Sequence, residues 1–275
     1  MKIATSTWSF HPELLSGRLT FAQLIAFCRE HGIEGIEIVD IDLIDVSLDK
    51  LIEIKRLADK NGIQISCLSL EHDLCRLSEE ARRDDVRKVE RWISYAKALN
   101  VDLVRVFTGW TKQGASPEEQ DSWVIEGMRS LARKAEEAGV WLVLENHNDI
   151  RHAADDILDL IRQVGSPRLC TCPDPYNYAW SDKENQPIVS DRVYEETEKL
   201  LPLAKNTHMK ITKFKEDGEE YYMDCGRILK LLRKYGYDGF WTIEFAWPRR
   251  EGDFDFLEEV AKGAKLLRKY LNLVQ

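Results

Sequence analysis

Apolar positions along the chain fall into two patterns that alternate. One pattern is a short run of aliphatic, β-branched and aromatic residues, of the kind that forms a strand buried on both faces. Such runs occupy residues 2–7 (KIATST), 35–40 (GIEIVD), 63–70 (IQISCLSL), 102–107 (DLVRVF), 140–145 (VWLVLE), 168–173 (RLCTCP), 206–211 (NTHMKI) and 239–245 (GFWTIEF). The other pattern is helical. TFAQLIAFCREHG has Thr20 as N-cap, apolar residues at helical spacing and Gly32 as a stop, and a segment from Ser47 to Gly62 does the same. Ser116 as N-cap, Pro117 at the first helical position and two acids in the first turn open a third helix. DCGRILKLLRKYGYDG and residues 254–271 supply two more.

HGIEG, NGIQI, AGVWL and YGYDG each place a glycine at a helix end and an apolar strand directly after it. Strand, helix, strand in this rhythm predicts a parallel sheet with helices outside. Eight such strands in about 250 residues predict a (β/α)₈ TIM barrel, taken as a single domain over residues 1–275. The competing architecture is a doubly wound open sheet. It usually has fewer strands and often a glycine-rich phosphate turn after the first, where this chain has STWSFHPEL.

Composition narrows the function without naming it. Hydrophobic residues make up 44% of the 275, enough for a large core, and charged residues 32%. No apolar stretch approaches the ~20 residues of a membrane span, and MKIATSTWSF has no secretory apolar region, so a cytoplasmic protein with no membrane partner is expected. A net charge of −9 argues against a nucleic-acid partner. Six cysteines in such a chain read as free thiols in a reducing compartment. Cys170 and Cys172 flank one threonine and are expected on opposite sides of their strand, which makes no zinc knuckle.

In a barrel the C-terminal strand ends ring one mouth, and chemistry is built there. The fifth strand ends on Glu145, the sixth runs into Asp174, the seventh carries His208 and the eighth Glu244. Singly, each has a plain structural explanation: a salt bridge, a turn former, a hydrogen-bonded core histidine. Together, three carboxylates near one rim would repel one another and lose solvation unless a cation or protons neutralised them. One divalent ion held by three carboxylates and one imidazole resolves the conflict. Oxygen ligands with one nitrogen suit Mn²⁺, taken first, or Mg²⁺, Co²⁺ or Zn²⁺.

The motifs VLENH, CPDPYN, NTHMKI and YDGFWTIEF, in this order across nearly the whole chain, resemble the xylose isomerase-like TIM-barrel superfamily of sugar and sugar-phosphate isomerases and epimerases. The resemblance implies that Glu145, Asp174, His208 and Glu244 bind the metal. It also implies that Glu145 and Glu244 are catalytic, moving protons on opposite faces of a ketose. Asp224 matches a helix-capping position. The chain departs from the family's pattern at four places. Asn177 stands where the ketose epimerases carry a substrate-contacting histidine, Ile211 replaces the acid of the H-x-K-D motif of many members while Lys210 is kept, and the epimerases' second acid after the strand-five glutamate and their arginine after the strand-seven histidine have no clear match.

A metal chelated by a substrate carbonyl and its neighbouring hydroxyl stabilises an enediolate. Returning the proton to the other face epimerises, returning it to the adjoining carbon isomerises, and loss of a β-hydroxyl dehydrates, as in the inosose and dehydroshikimate dehydratase branches. Substrate contacts are expected from Trp8, His72, His147, Asn177 and Lys210. Arg249 and Arg250 are read as a solvated loop rather than an anion site. The expected partner is a small sugar or sugar-derived molecule, and family members often pair, so a homodimer or homotetramer is anticipated. Two rivals carry less weight. An apurinic-site endonuclease would need a histidine-rich zinc cluster that six histidines and an acidic chain do not suit. A metal-free sugar-binding barrel would have no reason to gather the carboxylates.

Overall fold

The computed structural model describes residues 1–147, 150–179, 187–249 and 252–273. All eight expected strands form: β1 (Lys2–Ser6), β2 (Gly35–Val39), β3 (Gln64–Ser69), β4 (Leu103–Val106), β5 (Trp141–Glu145), β6 (Leu169–Cys172), β7 (Thr207–Ile211) and β8 (Phe240–Phe245). They make one parallel sheet in the order β6-β5-β4-β3-β2-β1-β8-β7. Chain-end strands β1 and β8 pair in register, Ala4 opposite Thr242, which curls the sheet into a barrel. The seam lies between β6 and β7. There the backbone is joined by bonds from Lys205 N to Thr171 O (3.1 Å) and His208 N to Pro173 O (3.0 Å), not by a ladder.

Each strand is followed by a helix, and the caps expected from sequence set the starts. Thr20 and Gln23 form a capping box for Phe21–Glu30, and Ser116 and Glu119 another for Pro117–Ala138. Ser47 and Asp224 also cap as expected. Pro117–Ala138 ends on Gly139 at φ +77°, a left-handed turn that glycine adopts without strain and that feeds β5 at once. Helices Glu79–Leu99, Ala154–Val164 and Asp191–Leu200 complete the ring. Ser78 caps the first of these, and the other two start on weaker signals, since Ala153 and Ser190 make no side-chain cap bond.

The strands bury both faces, as their apolar runs predict; β2, β6 and β7 are buried at every position. A register shift in the β2–β3 pairing falls between Ile36 and Glu37, where Ser66 is the extra residue. All six cysteines are buried, and none is in a disulfide. Cys170 and Cys172 do not face opposite ways. They pack in one cluster with Cys67 and Val143, because residues two apart on a strand share a face. Among the described residues no helix is long and apolar enough to cross a membrane. Arg250 and the side chain of Arg249 lie outside the described residues.

Candidate active site

The C-terminal mouth holds a pocket of about 350 Å³. Its floor is charged, with Glu145, Lys210, Glu244 and Arg105, and its walls are largely apolar, with Trp8, Ile41, Phe107 and Pro248 among them. Glu145, Asp174 and His208 each offer a ligand atom within 4.8 Å of the others, and all three are buried. Glu244 faces this group: its Oε2 lies 3.4 Å from His208 Nδ1, and its Oε1 3.1 Å from Lys210 Nζ. The four expected ligands therefore meet at one place, Glu244 at its edge.

Strand register explains the layering. Lys210 sits opposite Glu244 across β7–β8, and His208 one layer deeper opposite Thr242. His208 Nε2 is 3.0 Å from Glu37 Oε2, which fixes the ring and aims Nδ1 upward at the carboxylates. Nδ1 is buried and forms no hydrogen bond; Glu145 Oε1 stands 3.5 Å away. A buried nitrogen without a hydrogen bond, facing carboxylate oxygens and backed by a carboxylate on its other side, is the environment of a metal-ligating histidine. With Asp174, the donor set is oxygen-rich with one imidazole, which suits a hard or borderline divalent ion. Replacing His208 with alanine is expected to weaken Mn²⁺ binding by more than the roughly 10- to 100-fold that loss of a supporting partner costs. Metal analysis of the folded variant after dialysis against Mn²⁺ checks this; unchanged content would remove His208 from the ligand set.

Glu37 and Arg105 escape the strand-end reading because they lie inside β2 and β4. Arg105 Nη1 binds Glu145 Oε2 at 2.8 Å, and its guanidinium stacks 4.2 Å from the Phe107 ring centre. Glu37 accepts from Ser69 Oγ (2.7 Å) and Asn206 Nδ2 (2.8 Å). Burial alone would raise the Glu37 carboxyl, but the neighbouring His208, Arg105 and Ser69 bring it down to about 2. The available signal was a charge within an otherwise apolar strand. Asn146, the neutral residue directly after β5, also supports the site. Its side chain accepts from Asp174 N (2.8 Å) and donates to Asp174 O (2.9 Å), pinning the ligand expected after the sixth strand to the end of the fifth.

The two glutamates differ. Burial raises both, but Lys210, Arg105 and His208 hold Glu145 well below the ordinary carboxylate range. Glu244 stays raised: Lys210 and His208 offset its burial only in part, and Glu145 and Asp174 add repulsion. Lys210 is no surface lysine. It is buried, with Nζ donating to Asp174 Oδ2, Glu145 Oε1 (3.3 Å) and Asn177 Oδ1 (3.0 Å). Asn177 in turn donates to Glu145 Oε1 at 3.0 Å.

Trp8 and His147 line the pocket, His147 stacked on Phe107 with ring centres 4.7 Å apart. His72 is not brought to the pocket. It lies behind Phe107, 2% exposed, with Nδ1 3.2 Å from Leu70 O and Nε2 accepting from Phe107 N at 3.2 Å. Its neighbour Glu71 lines the pocket instead, since successive residues of an extended chain point opposite ways. Burial lowers the His72 imidazole to about 4. A depressed folded value contributes stability above the unfolded value of 6.5, lost as pH falls toward about 4. The span corresponds to about 3 kcal/mol. Thermal melts from pH 7 to 4 are expected to show this loss in the wild type and a flatter profile in His72→Gln; parallel profiles would count against a buried neutral histidine.

A parallel barrel with its polar groups gathered at the C-terminal mouth defines an α/β enzyme-type scaffold. Residues 25–270 match the xylose isomerase-like TIM barrel family, and the chain belongs to it. Solved structures share the fold. The 3-keto-D-glucoside 4-epimerase YcjR from E. coli has 17% identity and a TM-score of 0.77, with 98% of this chain and 99% of that chain covered. D-psicose 3-epimerase from Clostridium cellulolyticum H10 has 16% identity and a TM-score of 0.76 over the same shares. A probable 3-DHS dehydratase, AsbF, from Bacillus anthracis has 16% identity and a TM-score of 0.72, again covering 98% and 99%. No curated protein matches the chain by sequence.

Proposed function

We propose that this protein is a divalent-metal-dependent sugar isomerase or epimerase that abstracts a proton next to a carbonyl. The observation that carries the reading is the buried group of Glu145, Asp174 and His208, with Glu244 beside it, directly under a pocket that Glu145 and Glu244 line. A divalent cation held by these side chains, Mn²⁺ by preference, would supply stabilisation of the negative charge that forms as the carbon acid ionises.

Glu244 is the stronger base of the pair and takes the first proton. Glu145 has one oxygen fixed by Arg105 and the other facing Asn177 and Lys210, so it is held in place and serves the opposite face. Trp8 offers flat apolar surface to the C–H face of a sugar ring, and Phe107, packed under Arg105 and His147, helps exclude water. Asn177, where the ketose epimerases carry a substrate-contacting histidine, is occupied with Glu145 and Lys210, which favours a substrate other than a free ketohexose.

The test is a panel of ketoses, ketose phosphates, keto-glycosides and keto-acids incubated in heavy water with Mn²⁺. Deuterium appearing at a carbon adjoining the carbonyl identifies substrate and reaction centre together. Loss of water from the same carbon skeleton would reassign the protein as a dehydratase. No exchange across the panel, with metal shown to be bound, would argue for a binding protein.

A further inference from the structure

We propose that Lys210 is a tethered counter-ion which a divalent metal must displace, so that loading the metal releases the lysine ammonium into the substrate pocket. The inference rests on the metal-dependent reading above. It begins from a crowding of donors and acceptors. Lys210 Nζ has contacts with Asp174 Oδ2, Asn177 Oδ1 (3.0 Å), Glu244 Oε1 (3.1 Å) and Glu145 Oε1 (3.3 Å). An ammonium has three N–H donors, and here four acceptors converge on it. Its single positive charge offsets part of the repulsion among three buried carboxylates, with Arg105 on Glu145 as a second cation.

A divalent cation needs those same oxygens. Metal–oxygen bonds run about 2.0 to 2.3 Å. A cation that close to Glu145 and Asp174 would stand roughly within contact distance of Nζ and repel it as a like charge. Nζ stands among the oxygens of Glu145, Asp174 and Glu244, so the two cations compete for the same space. His208 Nδ1, which forms no hydrogen bond in the lysine-bound arrangement, offers the metal a ligand that Lys210 cannot use, since an ammonium only donates and a metal accepts a lone pair.

The displaced side chain has somewhere to go. Lys210 already lines the pocket, and Glu71 is an acidic side chain on its wall. A flexible four-carbon stem lets the ammonium turn toward the bound sugar, where it donates to a substrate oxygen. While it is bound among the carboxylates, the ammonium has its donors turned to Asp174, Asn177 and Glu145 rather than to a substrate.

The test compares wild type with Lys210→Met, titrating each metal-free protein with Mn²⁺ by calorimetry. The methionine variant is expected to bind Mn²⁺ at least tenfold more tightly. Its metal-free form should melt lower than the wild type, and Mn²⁺ should raise its Tm further. Equal or weaker Mn²⁺ binding by the variant overturns the proposal and leaves the metal reading intact. No binding by either protein overturns both.

A second measurement uses wild type alone, in case the variant does not fold. Lysine acetylation by a soluble active ester, read by peptide mass spectrometry, should spare Lys210 without metal and modify it once Mn²⁺ is added. The same reactivity in both states overturns the displacement.

Discussion

Glu244→Gln is expected to lower turnover of the native substrate by about 10²- to 10⁴-fold, the usual contribution of a positioned general base. Glutamine keeps the shape and one carbonyl oxygen but cannot take a proton. The partner variant Glu145→Gln should also abolish epimerisation, yet its signature differs. Glu244, raised by burial, still removes the proton on its own face, so solvent deuterium continues to enter the substrate without inversion. In Glu244→Gln that exchange should be lost as well, because Arg105, bonded to Glu145 Oε2 at 2.8 Å, keeps Glu145 a weak base. Exchange followed by NMR in heavy water, with metal content verified in both variants, separates the two. Near-normal turnover in either would reduce that glutamate to a structural role.

Arg105→Met is expected to be the most destabilising single change near the site. The guanidinium is buried, bonded to Glu145 at 2.8 Å and 3.6 Å from Glu37, and its removal strands two buried carboxylates. Breaking one side of a buried ion pair costs about 3–5 kcal/mol. For a chain of this size that corresponds to a Tm drop of roughly 10 °C. Adding Glu145→Gln to the same chain should recover part of the loss, since one stranded charge disappears. Thermal melts of the single and double variants check both statements. A double variant no more stable than Arg105→Met would show that the arginine acts through packing on Phe107 rather than through charge.

Much of this was readable before any coordinates. The strands were legible because a parallel barrel buries both faces of each one, so they stand out as unbroken apolar runs. Glu145, Asp174, His208 and Glu244 were legible because polar residues interrupt those runs at or near one end. Glu37 and Arg105 were harder to read. A charge inside an apolar strand declares itself only when its partner is known, and here the partners come from other strands: Glu37 meets His208 and Asn206 on and beside β7. His72 and Glu71 show another limit. The loop after β3 was recognised, but which of two neighbours faces the pocket depends on a half-turn of backbone that residue types do not encode. Lys210 could be assigned to solvent or to the site with equal reason until its distances to three carboxylates decided it.

The seam between β6 and β7 would give a metal held there a mechanical role. Asp174 follows β6, and His208 belongs to β7, so an ion shared by the two would bridge the place where the ladder is interrupted. Such a cation would clasp the cylinder shut, and the free energy of binding it would then also be free energy of closing the barrel.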